Sequence, residues 1–572
     1  MEWQYVFCYN NMMATQTRRP LDAAFIALLQ QVDLIPAQIL QEIIKQADGD
    51  GEKFEESLVF EGHMTDDQFG RLKAEAHKWR FIDLERVPIE PELLHLIPKT
   101  MLREQRAVPF VQTNGVVSIA LPNPDQISLV RQLEKKFSGG ISVFFATKTA
   151  LEAALSRYEG GFQEECKKLL ESNTAAGARS DNTSIIELAN AIFRHGIQQR
   201  ASDIHIEPRF QAVVVRQRID GVLHQTLELP KDIHGPLMTR IKVLANLAID
   251  EHATPQDGKL LFTADGKKTD IRVSFVPITH GEKAVLRLLS SQADSLTFES
   301  LGLAEPDSAK LQEQMKKSWG MILSTGPTGS GKTTTLYGVV RPLNRPEINI
   351  ATIEDPVEYD ILGVNQIQVH EKSGVTFATG LRSIVRQDPN IILVGEIRDT
   401  EAADIAVNAA MTGHLVLSTM HTNNAATAIP RLIDMGVEPF LISSTVNVIV
   451  AQRLVRTICI RCRESDGTLM DRKGTLPKEM LNLLSKEEKS MRLYHGRGCE
   501  LCHGTGFRGR TGIFEVLVVD DVIRTLIMTH ANASAIEETA IRNGMTTMLQ
   551  DGVEKVSRGI TTLEEILRVI RS

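Results

Sequence analysis

Residues 321–340 read MILSTGPTGSGKTTTLYGVV. MILST has the apolar density of a buried strand, TTTLYGVV opens a helix, and Gly326-Pro327-Thr328-Gly329-Ser330-Gly331-Lys332-Thr333 between them is a complete phosphate-binding loop in its required context. The glycines let backbone N–H groups turn inward around phosphate oxygens, and the helix N-terminus adds partial positive charge. Lys332 would reach the terminal phosphates, the Thr333 hydroxyl would hold Mg2+, and Thr334 continues the cradle. The alternative is a glycine-rich turn that binds nothing, which leaves the flanking strand and helix without a purpose.

Three further stretches belong with this loop. NIILVGEIRD is a buried strand ending at Glu396, read as a second magnesium-side group across the sheet crest. TIEDPVEYD delivers Glu354 and Asp355 from a strand that Pro356 ends, with Glu358 two residues on. Three carboxylates there would repel one another on a bare surface, whereas Mg2+ and an attacking water would offset the repulsion and give one carboxylate a proton to take. GHLVLSTMHTNNA brackets a strand with His414 and His421, which could sense phosphate or link neighbouring sites. The bland readings are a strand end, a solvated acidic loop and two structural histidines.

Of six cysteines, Cys8 and Cys166 stand alone, while Cys459, Cys462, Cys499 and Cys502 form two C-x-x-C pairs. Two knuckles closing on one ion point to structural Zn2+; a redox pair would need only one of them. The basic flanks RTICIRCRES and GRGCELCHGTGFRGR carry almost no aromatic residues on which bases could stack, which argues against a nucleic-acid reader.

Around these motifs the chain of 572 residues is long enough for three or four domains. A net charge of -8 disfavours phosphate neutralisation as its business, so no nucleic-acid partner is expected. No stretch matches a membrane span or a secretory leader, so the protein is expected in the cytoplasm, with any membrane association coming through a partner or peripheral contact. The poorly patterned first residues make Met13 an alternative start. Helical spacing over Leu21–Trp79 gives a helical domain in residues 1–80. Strand-like runs around Asn114-Gly115 give a small α/β domain in 81–160, and the Ala-, Gly-, Ser- and Asn-rich stretch suggests a linker over 161–183. A second α/β domain follows in 184–295. Alternating apolar strands and helices in 296–572 predict a parallel sheet covered on both faces, carrying the cysteine module at 455–515 and C-terminal helices.

The phosphate loop, the acidic box TIEDPVEY, Glu396, the histidine box and the tetracysteine module, with the strings SDIHIEP, RQRIDG, TPQDGKL, DIRVSFVP and GRTGIFEVL, together resemble the secretion ATPases that power type II secretion, type IV pilus extension and DNA uptake. The resemblance runs from about Phe81 to the C-terminus. It implies an α/β multidomain fold with a RecA-like P-loop ATPase core, a preceding PAS-like α/β domain and smaller N-terminal domains. It also implies homohexameric rings that hydrolyse ATP with Mg2+ and act on an inner-membrane platform protein and pilus or secretion assembly proteins. Arg216, Arg218, Arg272 and Arg287 become candidates for reaching phosphate. Glu358 is favoured as the group that activates water, with Glu354 as the alternative. Pilus assembly is the first expectation; a type II secretion or competence motor and a nucleotide-dependent, non-hydrolysing scaffold stay open. A retraction motor fits less well, because retraction relatives usually lack both the cysteine module and the extra N-terminal domains. Where relatives carry paired arginines before PQDG and another after it, this chain has Asp250-Glu251-His252-Ala253-Thr254 and Lys259. FEESLVFEGHMTDDQFGRL only faintly matches the pattern with which some relatives bind cyclic di-GMP, and such binding is not predicted.

Overall fold

The computed structural model describes residues 19–468 and 491–571, apart from 33, 61–62, 85, 88, 95, 98–100, 103–104, 138, 160, 176–181, 265–266, 290–296 and 359. The alternative start at Met13 and the lone Cys8 lie outside the described residues. The chain divides into two compact units, 1–161 with 457–508 and 555–562, and 162–456 with 509–554 and 563–572. Among the described residues no helix is long and apolar enough to cross a membrane.

The first unit begins with helices α1 (Ala23–Val32), α2 (Ala37–Gln46), α3 (Gly51–Phe60) and α4 (Asp66–His77). Phe25, Leu29, Leu40, Ile43, Phe54, Leu58 and Phe69 form one core, as helical spacing requires. Thr65 caps α4 in a reciprocal box with Gln68, and Lys73 is buried against Glu55 at 2.5 Å. Strands β1 (Val108–Thr113) and β2 (Val116–Leu121) pair antiparallel through Asn114-Gly115, both in the left-handed region that a two-residue turn demands. Helix α5 (Ile127–Lys136) then returns the chain to β3 (Ile141–Phe145), parallel to β2, and α6 (Lys148–Glu159) follows.

In the second unit, α7 (Gly161–Ala175) corrects the expected linker over 161–183. Phe162, Cys166 and Leu170 recur every four residues and pack on the core beneath, an apolar stripe that the Ser-, Asn- and Ala-rich end of the segment obscures. Burial pushes the Cys166 thiol up to about 12. Residues 176–181 of that linker are among those not described. After α8 (Asn182–Gln198) come β4 (Asp203–Pro208), β5 (Ala212–Ile219), β6 (Val222–Pro230), α9 (His234–Leu244), β7 (Gln256–Ala264), β8 (Lys267–Ile278) and β9 (Gly281–Leu289). These strands form one antiparallel sheet in the order β6-β5-β4-β9-β8-β7.

The nucleotide core comprises α10 (Glu305–Met315), β10 (Gly320–Thr325), α11 (Lys332–Leu343), β11 (Ile350–Glu354), β12 (Asn365–Gln368), α12 (Phe377–Ile384), β13 (Ile391–Val394), α13 (Thr400–Met411), β14 (Leu415–Met420), α14 (Ala428–Asp434), α15 (Pro439–Thr445) and β15 (Val446–Ile458). Strands β16 (Arg463–Thr468), β17 (Arg492–Gly496) and β18 (Phe507–Val518) follow, then α16 (Asp521–Met528), α17 (Ala533–Arg542), α18 (Met548–Ser557) and α19 (Leu563–Arg571). The main sheet runs β12-β11-β13-β14-β10-β15-β18, parallel from β12 to β15, which puts the loop strand between the fourth and last parallel strands as in a RecA-like core. Every residue of β10, β11, β13 and β14 is buried, as in a parallel sheet covered on both faces. The ribbon β16–β17 and the cysteines group with the first unit, rather than with the nucleotide core as the sequence reading had it.

Helix α19 is pinned by Glu565, which takes Arg456 at 2.9 Å and Arg568 at 2.5 Å. Burial alone would raise this carboxyl, but the Arg568 and Arg456 guanidiniums and the Arg456 backbone N–H outweigh it and hold it down at about 2, against an ordinary 4.5. Its stabilisation is therefore complete above about pH 4.5 and lost as pH falls through 2. Denaturant unfolding of the parent and Glu565→Gln should show the largest stability gap near pH 6 and a progressively smaller one from pH 4.5 downward.

Candidate functional site

The phosphate loop leaves β10 at Gly326 and enters α11 at Lys332, with Gly331 as its left-handed cap (φ 88°). Pro327, Thr328 and Gly329 are exposed at the crest, Ser330 and Lys332 are buried, and Thr333 and Thr334 are half-buried in the first turn. The Lys332 ammonium donates to the loop's own carbonyls, Gly326 O at 2.8 Å and Pro327 O at 3.1 Å. Burial lowers its pKa, and the Glu396 carboxylate works against that shift.

Glu396 follows β13. Arg398 pairs with one of its oxygens at 2.6 Å; the other, Oε2, lies 3.3 Å from His421 Nε2 and is buried with no hydrogen-bond partner. A buried carboxylate oxygen left unbonded is costly, and a divalent cation would relieve it. The Thr333 hydroxyl, in the first turn of α11, is likewise an oxygen donor, the type that Mg2+ favours, so the residues fit that ion. His421 reaches this position because Thr422, beside it, donates its backbone N–H to Thr325 Oγ1 at 3.0 Å, tying the end of β14 to the end of β10.

His414 does not join them. It precedes β14, next to the start of β10, where its backbone carbonyl accepts from Gly320 N at 3.1 Å and its Nδ1 lies 2.9 Å from Ala409 O. Six strand residues at about 3.3 Å each separate it from the loop end of the sheet, so the two bracketing histidines sit at opposite ends. The expectation of His414 as a nucleotide contact is corrected accordingly.

The two carboxylates of the acidic box differ sharply. Glu354, at the end of β11, is buried and accepts from Thr352 Oγ1 at 2.6 Å, from Gln366 Nε2 at 3.2 Å and from the Tyr337 hydroxyl. Glu358 is about a third exposed and faces Arg272, whose guanidinium lies 3.3 Å from Oε2 and also donates to Val357 O.

Arg272 is the one of the four candidate arginines placed at the acidic box, and strand register explains why. Arg218, Asp203, Arg287, Arg272 and Lys259 stand opposite one another in a row across β5, β4, β9, β8 and β7. Asp203 takes Arg218 at 3.3 Å and Arg287 at 3.1 Å. Arg216 belongs to Glu207 at 2.8 Å, and although burial would raise the Glu207 carboxyl, Arg216 and Lys283 hold it at about 2. Arg272 lies opposite a second arginine and finds its counter-charge at Glu358. The departing segment before PQDG closes locally: His252 sits 2.7 Å and the buried Lys242 2.6 Å from Glu282, while Lys259 pairs with Asp270 at 3.1 Å.

One residue that sequence reasoning missed is Gln452, buried on β15. Its Nε2 donates to Ser330 O at 2.7 Å and its Oε1 accepts from Ser324 Oγ at 3.4 Å. A Cβ at Gly326, where φ is 147°, would come within 2.4 Å of the Gln452 carbonyl, so the loop packs directly on this residue. The available signal was a lone amide after the apolar run VIVA. Gln452→Leu leaves the Ser330 carbonyl buried and unbonded, a penalty of about 1–3 kcal/mol. It should weaken binding of a fluorescent ATP analogue about 10-fold in an equilibrium titration.

In the first unit the four sulfurs of Cys459, Cys462, Cys499 and Cys502 lie within 4.8 Å of one another, with 459–499 and 462–502 at 3.8 Å and 499–502 at 3.7 Å. A tetrahedron with metal–sulfur bonds of about 2.3 Å has edges of about 3.8 Å, so the cluster has the dimensions of a four-thiolate zinc site. The backbone N–H groups of Cys499 (3.1 Å) and Gly506 (3.3 Å) point at Cys502 Sγ, stabilising a thiolate there.

Comparison with known proteins adds to this geometry. A family model described as "Type II/IV secretion system protein" matches residues 178–568, more than half of the chain. The chain belongs to the type II/IV secretion system protein family. A second model, the MshEN domain, matches residues 77–165 of this family member. The type IV pilus assembly ATPase PilB of Myxococcus xanthus is 35% identical over 560 residues, covering 94% of this chain and 97% of that one. The type II secretion system protein E of Pseudomonas aeruginosa is 47% identical over 396 residues, 69% of this chain and 77% of that one. Among solved structures, the Legionella pneumophila ATPase DotB aligns with a TM-score of 0.49 at 21% identity, covering 66% of this chain and 94% of that one.

Proposed function

We propose that this secretion-family protein is a hexameric ATPase that powers type IV pilus assembly from the cytoplasmic face of the inner membrane, acting on a membrane-embedded platform protein. The observation that carries the catalytic part is the contrast within the acidic box: Glu354 is spent on three donors, whereas Glu358 is accessible beside a guanidinium. Pilus assembly is supported by the likeness to the Myxococcus pilus ATPase along nearly the full length of both chains. A type II secretion motor is the second reading, favoured by the higher identity over the core with the Pseudomonas protein.

In this reading the loop N–H groups and Lys332 hold the phosphates of ATP, with Lys332 exchanging its loop carbonyls for phosphate oxygens. Magnesium, held by the Thr333 hydroxyl and Glu396, would neutralise charge on the terminal phosphates. Glu358 orients water and takes its proton. Arg272, released from Glu358, would add positive charge beside Lys332 for the departing phosphoryl group. Zn2+ in the cysteine cluster would be structural, since four thiolates leave no open position.

The test is phosphate release from Mg2+-ATP by zinc-loaded protein under conditions that assemble rings, with Lys332→Ala alongside. Turnover in the parent and its loss in Lys332→Ala, with nucleotide affinity lowered at least 10-fold, supports the motor. An assembled parent that binds ATP but never turns it over, even with its platform partner, would mean a nucleotide-dependent scaffold.

A further inference from the structure

We infer that the first cysteine pair is a clamp for the N-terminal helices: the residues set between and beside Cys459 and Cys462 hold the bundle α1–α4, so metal occupancy governs whether that bundle stays anchored. The inference rests on the zinc reading above and concerns what the ion's neighbours do.

Two residues lie between the cysteines, and both are committed to the helices. Ile460 packs against the bundle core formed by Phe25, Leu40, Phe54 and their neighbours. Arg461, whose side chain is only 6% exposed, spreads its guanidinium between Asp66 at 3.0 Å and Asp83 at 2.9 Å. Asp66 is the first residue of α4, where a carboxylate is favoured by the helix dipole, and it also accepts from Thr147 Oγ1 at 2.7 Å. One oxygen of Asp66 therefore joins α4, the small α/β domain and the cysteine pair.

Immediately after the pair, Arg463 holds the helix that precedes α4. Its guanidinium donates to Val59 O at 2.5 Å and Phe60 O at 3.1 Å, the last carbonyls of α3, and to Gly559 O at 3.3 Å. A cation there satisfies acceptors that the helix itself leaves unbonded and opposes the negative end of its dipole. The basic character of RTICIRCRES is thus consumed by buried protein partners. The two guanidiniums grip α3 at its end and α4 at its start.

Arginine side chains held this way lose rotamer freedom and hydration, and the loss is recovered only when the backbone carrying them is fixed. Here the fixing element is the knuckle, whose tight turn (Cys462 N to Cys459 O, 3.2 Å) depends on four sulfurs held together. Without an ion, the four sulfurs lose the bonds that hold them 3.7–3.8 Å apart, and the turn that aims Ile460, Arg461 and Arg463 loses its constraint.

The experiment is amide hydrogen exchange on the full chain, zinc-loaded and after stripping with a chelator under reducing conditions, with Arg461→Ala and Asp66→Asn compared at measured zinc content. Stripping is expected to speed exchange in residues 51–77 at least 10-fold while β10 and β14 keep their protection. Zinc-loaded Arg461→Ala should reproduce that local loss. Asp66→Asn, away from the cysteines, should do so too, and it decides the matter if Arg461→Ala loses its metal. Zinc-loaded variants that exchange at the parental rate over 51–77 overturn the clamp and leave the zinc site intact. A parent with reduced cysteines that takes up no zinc overturns the zinc reading itself.

Discussion

Glu358→Gln is expected to lower ATP turnover about 100- to 10,000-fold, the range a positioned general base contributes, while leaving nucleotide affinity within about 3-fold of the parent. The amide keeps the side chain's size and can still accept a hydrogen bond from Arg272, but it cannot take a proton from water. Phosphate release measured beside an equilibrium nucleotide titration separates the two effects. Glu354→Gln gives the contrasting result. It disturbs acceptors that satisfy Thr352, Tyr337 and Gln366 in the core, so it should lower the unfolding midpoint and reduce activity only in proportion to the protein left folded. Full activity in Glu358→Gln with complete loss in a stably folded Glu354→Gln would reverse the assignment of the base.

The second large effect concerns the cysteines. A structural zinc site in a small module contributes apparent free energies of about 10–16 kcal/mol, more than the whole stability of most domains. Cys462→Ser is therefore expected to abolish stoichiometric zinc binding and to expose the ribbon β16–β17 to protease, as read by metal analysis and peptide mapping. Retention of the full metal content and of the parental digestion pattern in Cys462→Ser would show that three sulfurs suffice and that the fourth is dispensable.

How far the sequence could carry these conclusions depended on how local each signal was. The phosphate loop lies within one strand–turn–helix, and all its features are contiguous, so residues 326–334 could be read directly. The four cysteines were legible because ligand spacing within each knuckle is itself local. The arginines were not. Whether Arg218, Arg272 or Arg287 is available depends on which strands stand side by side, and only the pairing of Asp203 with both Arg218 and Arg287 shows that these two already share one carboxylate. The same applies to His414. Two histidines flanking an inner strand look equivalent in sequence, yet the strand's own length carries them to opposite ends of the sheet. Residues 161–175 failed for a different reason: the apolar stripe of Phe162, Cys166 and Leu170 is narrow and its neighbours are polar, so composition hid a periodic signal. Gln452 was missed because its partner in the phosphate loop, the Ser330 carbonyl, is a backbone group that no residue type advertises.

The unequal bonding of the two acidic-box glutamates has a consequence for genetics. A search for alleles that abolish the machine would return both positions, but with different inheritance. Glu354 alleles, defective through folding, are expected to be temperature-sensitive and recessive, because misfolded subunits never enter a ring. If subunits assemble in a ring as proposed, Glu358 alleles would fold, bind nucleotide and co-assemble with intact subunits, poisoning each ring that admits one, and the mutant phenotype should persist in cells that also carry the normal gene.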